Sequence, residues 1–446
     1  MHIVIIGNGI GGITTARWIR KLSDHKITVI SSESQYFYSR TALMYIYMGH
    51  MRFVDTKPYE DWFWDKNRIN LIQDLVENVD FDNKELALSS GTKMSYDKLV
   101  IGVGSKSNKF GWPGQDLDGV RGLYSLQDLE VMEEFSPNLN RAVIVGGGLI
   151  GIEMAEMFRS RDISVTMIVR EKEYWDNVLP VEEAAMISNH VREHHIDLRL
   201  DSNLKEILND GSDKVSGIVI EETGETIECG FVGLTPGVSP NIDFLREGKI
   251  DTNRGILVDE YLETNIPDVY AVGDCAELRT PPEGRKPIEA VWYVGRMMGE
   301  TCAHNICGYK VEYAPGIWFN SAKFLDIEYQ VYGTVLNNPP ANHRSFFWQE
   351  ESQRKSVRVV FDAESEKVLG FNLLGVRFRH EVCEKWIRDG TQIEEVIQNI
   401  RLAIFDPEFS KNYEMDLLRA YNQFNKSSAA LMASSGLDPV TEFLQN

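Results

Sequence analysis

The stretch MHIVIIGNGIGGITTARWIRKLSDHKITVI, residues 1–30, decides the fold. Apolar IVII reads as a strand, GNGIGG as a turn, ITTARWIRKL as a helix and ITVI as a second strand, which together make a βαβ unit. Gly7, Gly9 and Gly12 stand in GxGxxG spacing at the strand-to-helix junction. In such a turn the first glycine permits the tight bend, the second lets backbone approach a pyrophosphate, and the third lets the helix pack close on the strand. The helix start then offers unpaired N–H groups and the positive end of its dipole to phosphates. The unit reads as a dinucleotide-binding site. Glu33, about 20 residues further on, is placed to hold ribose hydroxyls. It also reads as a solvated loop carboxylate, because Ser31 occupies the strand-end position where the acid more often stands.

A second copy follows at residues 142–169, where AVIV, GGGLIG, IEMAEMFRSR and SVTMIV repeat the order around Gly146, Gly148 and Gly151. Two units imply two dinucleotides, and the natural pairing is FAD with a nicotinamide dinucleotide, a hydride acceptor beside a hydride donor. At the second unit's strand end stand Val169 and Arg170. An acid there hydrogen-bonds the 2'-hydroxyl of NAD, whereas an arginine accommodates the 2'-phosphate of NADP. Arg170 tilts the reading toward NADPH, while the adjoining Glu171 keeps NADH open.

Further strand-to-turn junctions lie in MSYDKLVIGVGS, ETIECGFVGLTPGVSPN and NIPDVYAVGDCAEL, and WPG at Trp112–Gly114 reads as a linker. Beyond residue 318 the texture changes to hairpin material, SVRVVFDAESEKVLGFNLLG, followed by helical segments. The expected fold is α/β, with two Rossmann-like dinucleotide-binding domains, one for FAD and one for NAD(P), and a C-terminal α+β domain. The expected boundaries are 1–108 and 244–318 for the FAD domain, 109–243 for the NAD(P) domain and 319–446 for the last.

With 446 residues, 43% hydrophobic and 25% charged, the chain has the composition of a folded soluble protein. No apolar run approaches the ~18 to 20 residues of a bilayer-spanning helix. A net charge of -21 repels polyanions and weakens any case for nucleic acid or anionic lipid. The sequence enters a strand at once, without a basic leader, so the expected location is cytoplasmic. Cys229, Cys275, Cys302, Cys307 and Cys383 are odd in number and scattered, which is a reduced inventory rather than a disulfide framework.

The motifs GNGIGG (Gly7–Gly12), YDKLVIGVGS (Tyr96–Ser105), VGGGLIGIEMAE (Val145–Glu156), VGLTPGVSPN (Val232–Asn241) and VYAVGDCAEL (Val269–Leu278) stand in family order. On them the chain resembles the FAD-dependent pyridine nucleotide-disulfide oxidoreductases. That superfamily contains glutathione reductase, dihydrolipoamide dehydrogenase, rubredoxin and ferredoxin reductases and nitrite-reductase flavin subunits. The resemblance implies that Asp274 binds the flavin ribitol, that Val76 meets the adenine through its backbone, and that Glu33 and Ser34 hold the adenosine ribose. It places Arg40 near the pyrophosphate and brings Ile10, Gly11, Gly104 and Gly273 to the cofactor with the glycines already named. It sets Glu153 between flavin and nicotinamide, and Lys323 and Trp292 at the flavin pyrimidine edge, although these last two also read as surface and core residues.

The chain departs from the disulfide-reducing members in one respect. Where they hold redox cysteines, the matching YFYSRTALMYIYMGH has none. Cys302 and Cys307 show CxxxxC spacing, but they follow the GD motif on a helical segment and point in different directions, so they read as buried structural thiols. Electrons must then leave the flavin directly for an external acceptor.

The resemblance favours a small iron-sulfur or rubredoxin-type protein as that acceptor, with another soluble oxidant as a further choice and a homodimer as a compatible assembly. Arg354, Lys355 and Arg358 are the candidate basic face for an acidic partner. A peripheral NAD(P)H:quinone oxidoreductase is the alternative, suggested by the apolar YFYSRTALMYIYMG, although the tail YEMDLLRAYNQFNKSSAALMASSGL is only mildly amphipathic. From another class comes an FAD-bearing, redox-controlled interaction module built around residues 319–446. His190, His194 and His195 in NHVREHH include an i, i+4 pair, but no third ligand is visible, so they read as a solvated helix and no metal is expected. The run YEDWFWDKN, Tyr59–Asn67, reads as a packed amphipathic segment or as part of a docking surface.

Overall fold

The computed structural model describes residues 1–405, 411–425, 431–432 and 440–445. They divide into two compact units, the first of residues 1–146, 154–166 and 204–315, the second of residues 147–153, 167–203 and 316–446. The division runs through the second glycine turn, leaving Gly146 in the first unit and Gly148 and Gly151 in the second.

The first unit is organised by strand His2–Ile6, whose Ile3, Val4, Ile5 and Ile6 are all buried. A continuous apolar run, rather than an alternating one, is what a parallel strand covered on both faces requires. It pairs in parallel with Lys26–Ser31 on one side and Lys98–Ile101 on the other. Ile69–Gln73 and the distant Val269–Ala271 complete the five strands. Helix Ile10–Leu22 packs against helix Trp292–Ile306, and the approach is set by glycine. A Cβ at Gly299 would lie 2.5 Å from the Gly11 carbonyl oxygen, and one at Gly295 would lie 3.1 Å from Ile10 Cγ2. Arg141–Val145, Phe231–Leu234 and Val120–Arg121 form a further parallel group in this unit.

In the second unit the predicted hairpin is present as Ser356–Asp362 and Val368–Leu374. It belongs to a five-stranded antiparallel sheet with Phe319–Phe324, Ile327–Gly333 and His343–Gln349. Helices His380–Asp389, Ile393–Gln398 and Glu414–Asn425 contribute Val382, Trp386, Ile397, Leu417 and Tyr421 to one apolar core with Phe371 and Val359 of the sheet. The first part of the mildly amphipathic tail is thus core, while residues 426–430 and 433–437 of that region lie outside the described residues. Among the described residues no helix is long and apolar enough to cross a membrane.

The expected basic face is corrected by this unit. Arg358 is buried, donating to Glu183 from Nε (2.7 Å) and Nη2 (2.8 Å), to Glu182 (2.7 Å) and to Ser345 Oγ (2.7 Å). Glu183 is itself fully buried on helix Val181–Glu193, and a buried carboxylate is tolerable only with such a bidentate partner. Arg354 is taken up by Asp326 and Glu193, and Lys355 by the Tyr413 hydroxyl.

Candidate dinucleotide site

The two glycine turns show the division of labour that their spacing predicts. Gly7 has φ +104°, and a Cβ there would lie 2.1 Å from the Gly102 carbonyl oxygen. A Cβ at Gly12 would lie 2.1 Å from the Gly7 oxygen, so bend and helix approach both exclude a side chain. At Gly9, the helix N-cap, nothing lies within 4 Å of the added carbon. Nothing within the protein demands glycine at this position, and the open space is what close approach of a pyrophosphate to the backbone needs. The helix has no side-chain cap and no acid in its first turn, which leaves its positive end available to an anion. The second turn matches it: Gly146 has φ +123° with Thr235 O 2.4 Å from an added Cβ, while Gly148 again faces open space. Gly151 is buried on helix Leu149–Arg159, which also has no acid in its first turn.

A charged network stands in the first unit with the first turn. Glu33 Oε2 accepts from Arg40 Nη2 at 2.6 Å, and Oε1 accepts from Arg40 Nη1 at 2.9 Å, from the Leu126 N–H at 3.0 Å and from the Tyr38 hydroxyl. Burial works against ionising Glu33, but the charge and hydrogen bonds of Arg40, with Tyr38 and Leu126, outweigh it and hold the carboxyl below its ordinary value. The solvated-loop reading of Glu33 is therefore corrected. Three of its four donors crowd Oε1, so Oε2 keeps acceptor capacity of the kind a ribose hydroxyl uses.

Arg40 also donates to the Tyr124 carbonyl and lies over the Tyr124 ring at 4.5 Å. The Tyr124 hydroxyl accepts from the Ser105 N–H at 2.8 Å and donates to Asp274 Oδ2 at 3.2 Å. Burial pushes the Asp274 carboxyl above its ordinary value against that hydrogen bond. Gly104, φ +66°, has no room for a side chain, since its Cβ would lie 2.6 Å from the Tyr124 hydroxyl. Gly273, φ +74°, begins the turn that carries Asp274. Asn8, buried inside the glycine turn, donates to the Ser34 carbonyl at 2.8 Å and ties turn to ribose loop. Sequence reading missed Asn8, Tyr38 and Tyr124.

The remaining candidates are placed as follows. Ile10 and Gly11 open the first helix. Val76 is buried at the start of strand Val76–Asp80. Trp292, half-buried, is the first residue of its helix and meets Tyr293 edge-on at 5.5 Å. Glu153 and Lys323 are half-buried residues of the second unit. Arg170 is 74% exposed and pairs with Glu171, itself only 17% exposed, at 2.9 Å. In the aromatic run, Trp64 is buried against Tyr59 and Phe63, whereas Trp62 is exposed, so the segment is packed and amphipathic.

All five cysteines are free, and burial raises the thiol of each, Cys229 and Cys275 to about 12. Cys302 is buried as expected, but Cys307 is half-buried. Redox relay needs a thiolate, and none of these sites favours one. Replacing Cys302 by Ala and Cys307 by Ser together is expected to leave NAD(P)H-driven dye reduction within a few fold. A collapse of turnover with flavin still bound would contradict this. The histidines need correction as well: His190 is buried rather than solvated, and Asp326 meets both it and His194.

A glycine turn of this build beside a buried carboxylate network, together with a second turn that has the same open middle position, is the mark of a two-dinucleotide redox protein. The family described as pyridine nucleotide-disulphide oxidoreductase matches residues 1–299, and the chain belongs to it. It is an FAD-dependent NAD(P)H oxidoreductase. The chain is 30% identical to an NADH-rubredoxin oxidoreductase of Clostridium acetobutylicum over 76% of its own length and 83% of that protein's. It is 28% identical to an NADH oxidase of Methanocaldococcus jannaschii over 91% of each. A nitrite reductase [NAD(P)H] of Bacillus subtilis matches at 30% over 62% of this chain, which spans only 34% of that protein. Among solved structures, the NADH:rubredoxin oxidoreductase from Clostridium acetobutylicum superposes with a TM-score of 0.71 at 26% identity, covering 89% of this chain and 98% of that one.

Proposed function

We propose that the chain oxidises NAD(P)H, with a lean to NADPH, and passes the electrons through FAD to a small iron-sulfur or rubredoxin-type protein without a redox disulfide. The observation that carries this is the connected set Glu33, Arg40, Tyr124 and Asp274 in one unit with a glycine turn whose middle position is open. When bound, FAD supplies hydride acceptance and onward electron release. Gly7, Gly9, Ile10, Gly11 and Gly12 hold its pyrophosphate with Arg40; Glu33 and Ser34 hold the ribose; Val76 meets the adenine; Gly104, Gly273 and Asp274 hold the ribitol. Gly146, Gly148 and Gly151 hold the nicotinamide dinucleotide, and Arg170 meets its 2'-phosphate. Glu153 orients the nicotinamide, and Trp292 bounds the flavin's pyrimidine edge. The chemistry is positioning: no side chain acts as nucleophile.

The names of the rubredoxin and ferredoxin reductases among the relatives support this acceptor class, as do five thiols that burial keeps protonated. The domain boundaries read from the sequence and a cytoplasmic location belong to the same proposal. The purified protein is expected to be yellow, to bleach on anaerobic titration with NADPH or NADH, and to turn over continuously once an oxidised rubredoxin or [2Fe–2S] ferredoxin is added. Bleaching without turnover on either protein would remove the acceptor class, and single-event reduction with every acceptor, dyes included, would favour the interaction module.

A further inference from the structure

We propose that His190, His194 and Asp326 form a zinc site in the second unit, clipping helix Val181–Glu193 to the first hairpin of the C-terminal sheet. The helix places His190 and His194 one turn apart, with ring centroids 4.6 Å apart. Asp326 arrives from the tight turn between strands Phe319–Phe324 and Ile327–Gly333, where Leu325 adopts φ +57°. Both Nε2 atoms converge on one oxygen, Asp326 Oδ1, at 2.5 and 3.1 Å. The three ligand atoms lie within 4.8 Å of one another. Zinc bonds of about 2.0–2.2 Å in tetrahedral geometry put ligand atoms about 3.3 Å apart, so the two N···O contacts open by less than about 1 Å while the widest separation closes by up to about 1.5 Å. A water would fill the fourth position, since Asp326 is more than half exposed.

Two further observations point to a cation rather than to a self-sufficient hydrogen-bonded cluster. His190 is only 2% exposed, and its Nδ1 is buried without a hydrogen bond, the nearest carboxylate being Glu193 at 3.7 Å. With zinc on Nε2, the proton sits on Nδ1 and faces that carboxylate, which is the arrangement that orients metal-bound imidazoles. Arg354 donates to Asp326 Oδ2 and to Glu193 Oε2, both at 3.2 Å, which fixes the ligand carboxylate and leaves Oδ1 for the ion. The two carboxylates outweigh the one guanidinium, so the group carries net negative charge when both imidazoles are neutral.

The test is calorimetric titration of the untagged, flavin-loaded, chelator-dialysed protein with zinc chloride. We expect one ion per chain with a dissociation constant in about the micromolar range or tighter. A rise of at least about 2 °C in the unfolding midpoint in excess zinc should accompany it. His194→Ala and Asp326→Ala, both at solvent-accessible positions, should each weaken binding at least tenfold while the flavin absorbance is retained. No saturable binding, or binding equally tight in both variants, would overturn the site.

Discussion

In the flavin-free protein, Asp274→Asn is expected to raise the unfolding midpoint at pH 7, and in the same variant FAD binding is expected to weaken about 10- to 150-fold. The two effects have one cause. Burial holds the Asp274 carboxyl above its ordinary value in the folded chain, with the Tyr124 hydroxyl only partly offsetting it. A carboxyl whose folded value is raised contributes most to stability below its unfolded value near 3.8, and that contribution is lost as pH climbs through the folded one. Where the wild-type carboxyl is ionised it therefore carries the penalty of a buried charge, and the neutral asparagine removes that penalty while still accepting from Tyr124. Each kcal/mol recovered moves the midpoint by about 2–4 °C in a domain of this size. The gap between variant and wild type should close as pH falls toward about 4.

Flavin binding responds in the opposite direction, because a carboxylate accepts hydroxyl hydrogen bonds more strongly than an amide does. Hydrogen bonds to charged groups are worth about 1.5–3 kcal/mol, which is the range given above. Differential scanning calorimetry across pH, paired with flavin titration, reads both arms. A variant that is less stable at pH 7 yet binds FAD as well as wild type would show that Asp274 is a structural carboxylate. A charge kept in the fold at a stability cost is the mark of a ligand-binding group.

What the sequence could reveal of this site follows from how local each signal is. Gly7, Gly9 and Gly12 were legible because turn, open space and close helix packing all fall within one junction, where spacing alone encodes them. Tyr124 was not, since it belongs to no strand-to-turn motif and meets Arg40, Ser105 and Asp274 only after distant segments pack. Its trace in the sequence is indirect: Gly104 is a glycine because the Tyr124 hydroxyl occupies the space a Cβ would need.

Arg358 was misread for a different reason. In SVRVVFD the alternation suggests an outward arginine, but six of the seven residues are buried, so period-two patterning no longer marks solvent. The partner that makes this possible, Glu183, lies on another element altogether. His190, by contrast, had a usable signal. It follows Ile187 by three residues and Glu183 by seven, which puts it on the buried stripe of its helix.

Arg170→Glu is expected to weaken NADPH about 10-fold or somewhat more and to leave NADH nearly unchanged. The full loss of a charge-assisted hydrogen bond, with a carboxylate put in its place, would give roughly 10- to 150-fold. Two features of this chain place the result at the lower end. Arg170 is 74% exposed, so water and salt screen its attraction for a 2'-phosphate, and in the free protein its Nε is already paired with Glu171 at 2.9 Å. That pairing must be traded for the phosphate before any affinity is gained. NADH presents a hydroxyl at the same position, which has no negative charge for the new carboxylate to repel. The measurement is kcat/KM for both donors in wild type and variant, at two ionic strengths, since a screened contact should lose its discrimination in high salt. A wild type that prefers NADH by more than tenfold would assign the ribose to Glu171, the more buried partner of the pair. The same result would demote Arg170 to the residue that holds Glu171 in place. In that event Glu171→Gln, rather than any change at Arg170, should carry the largest loss in NADH use.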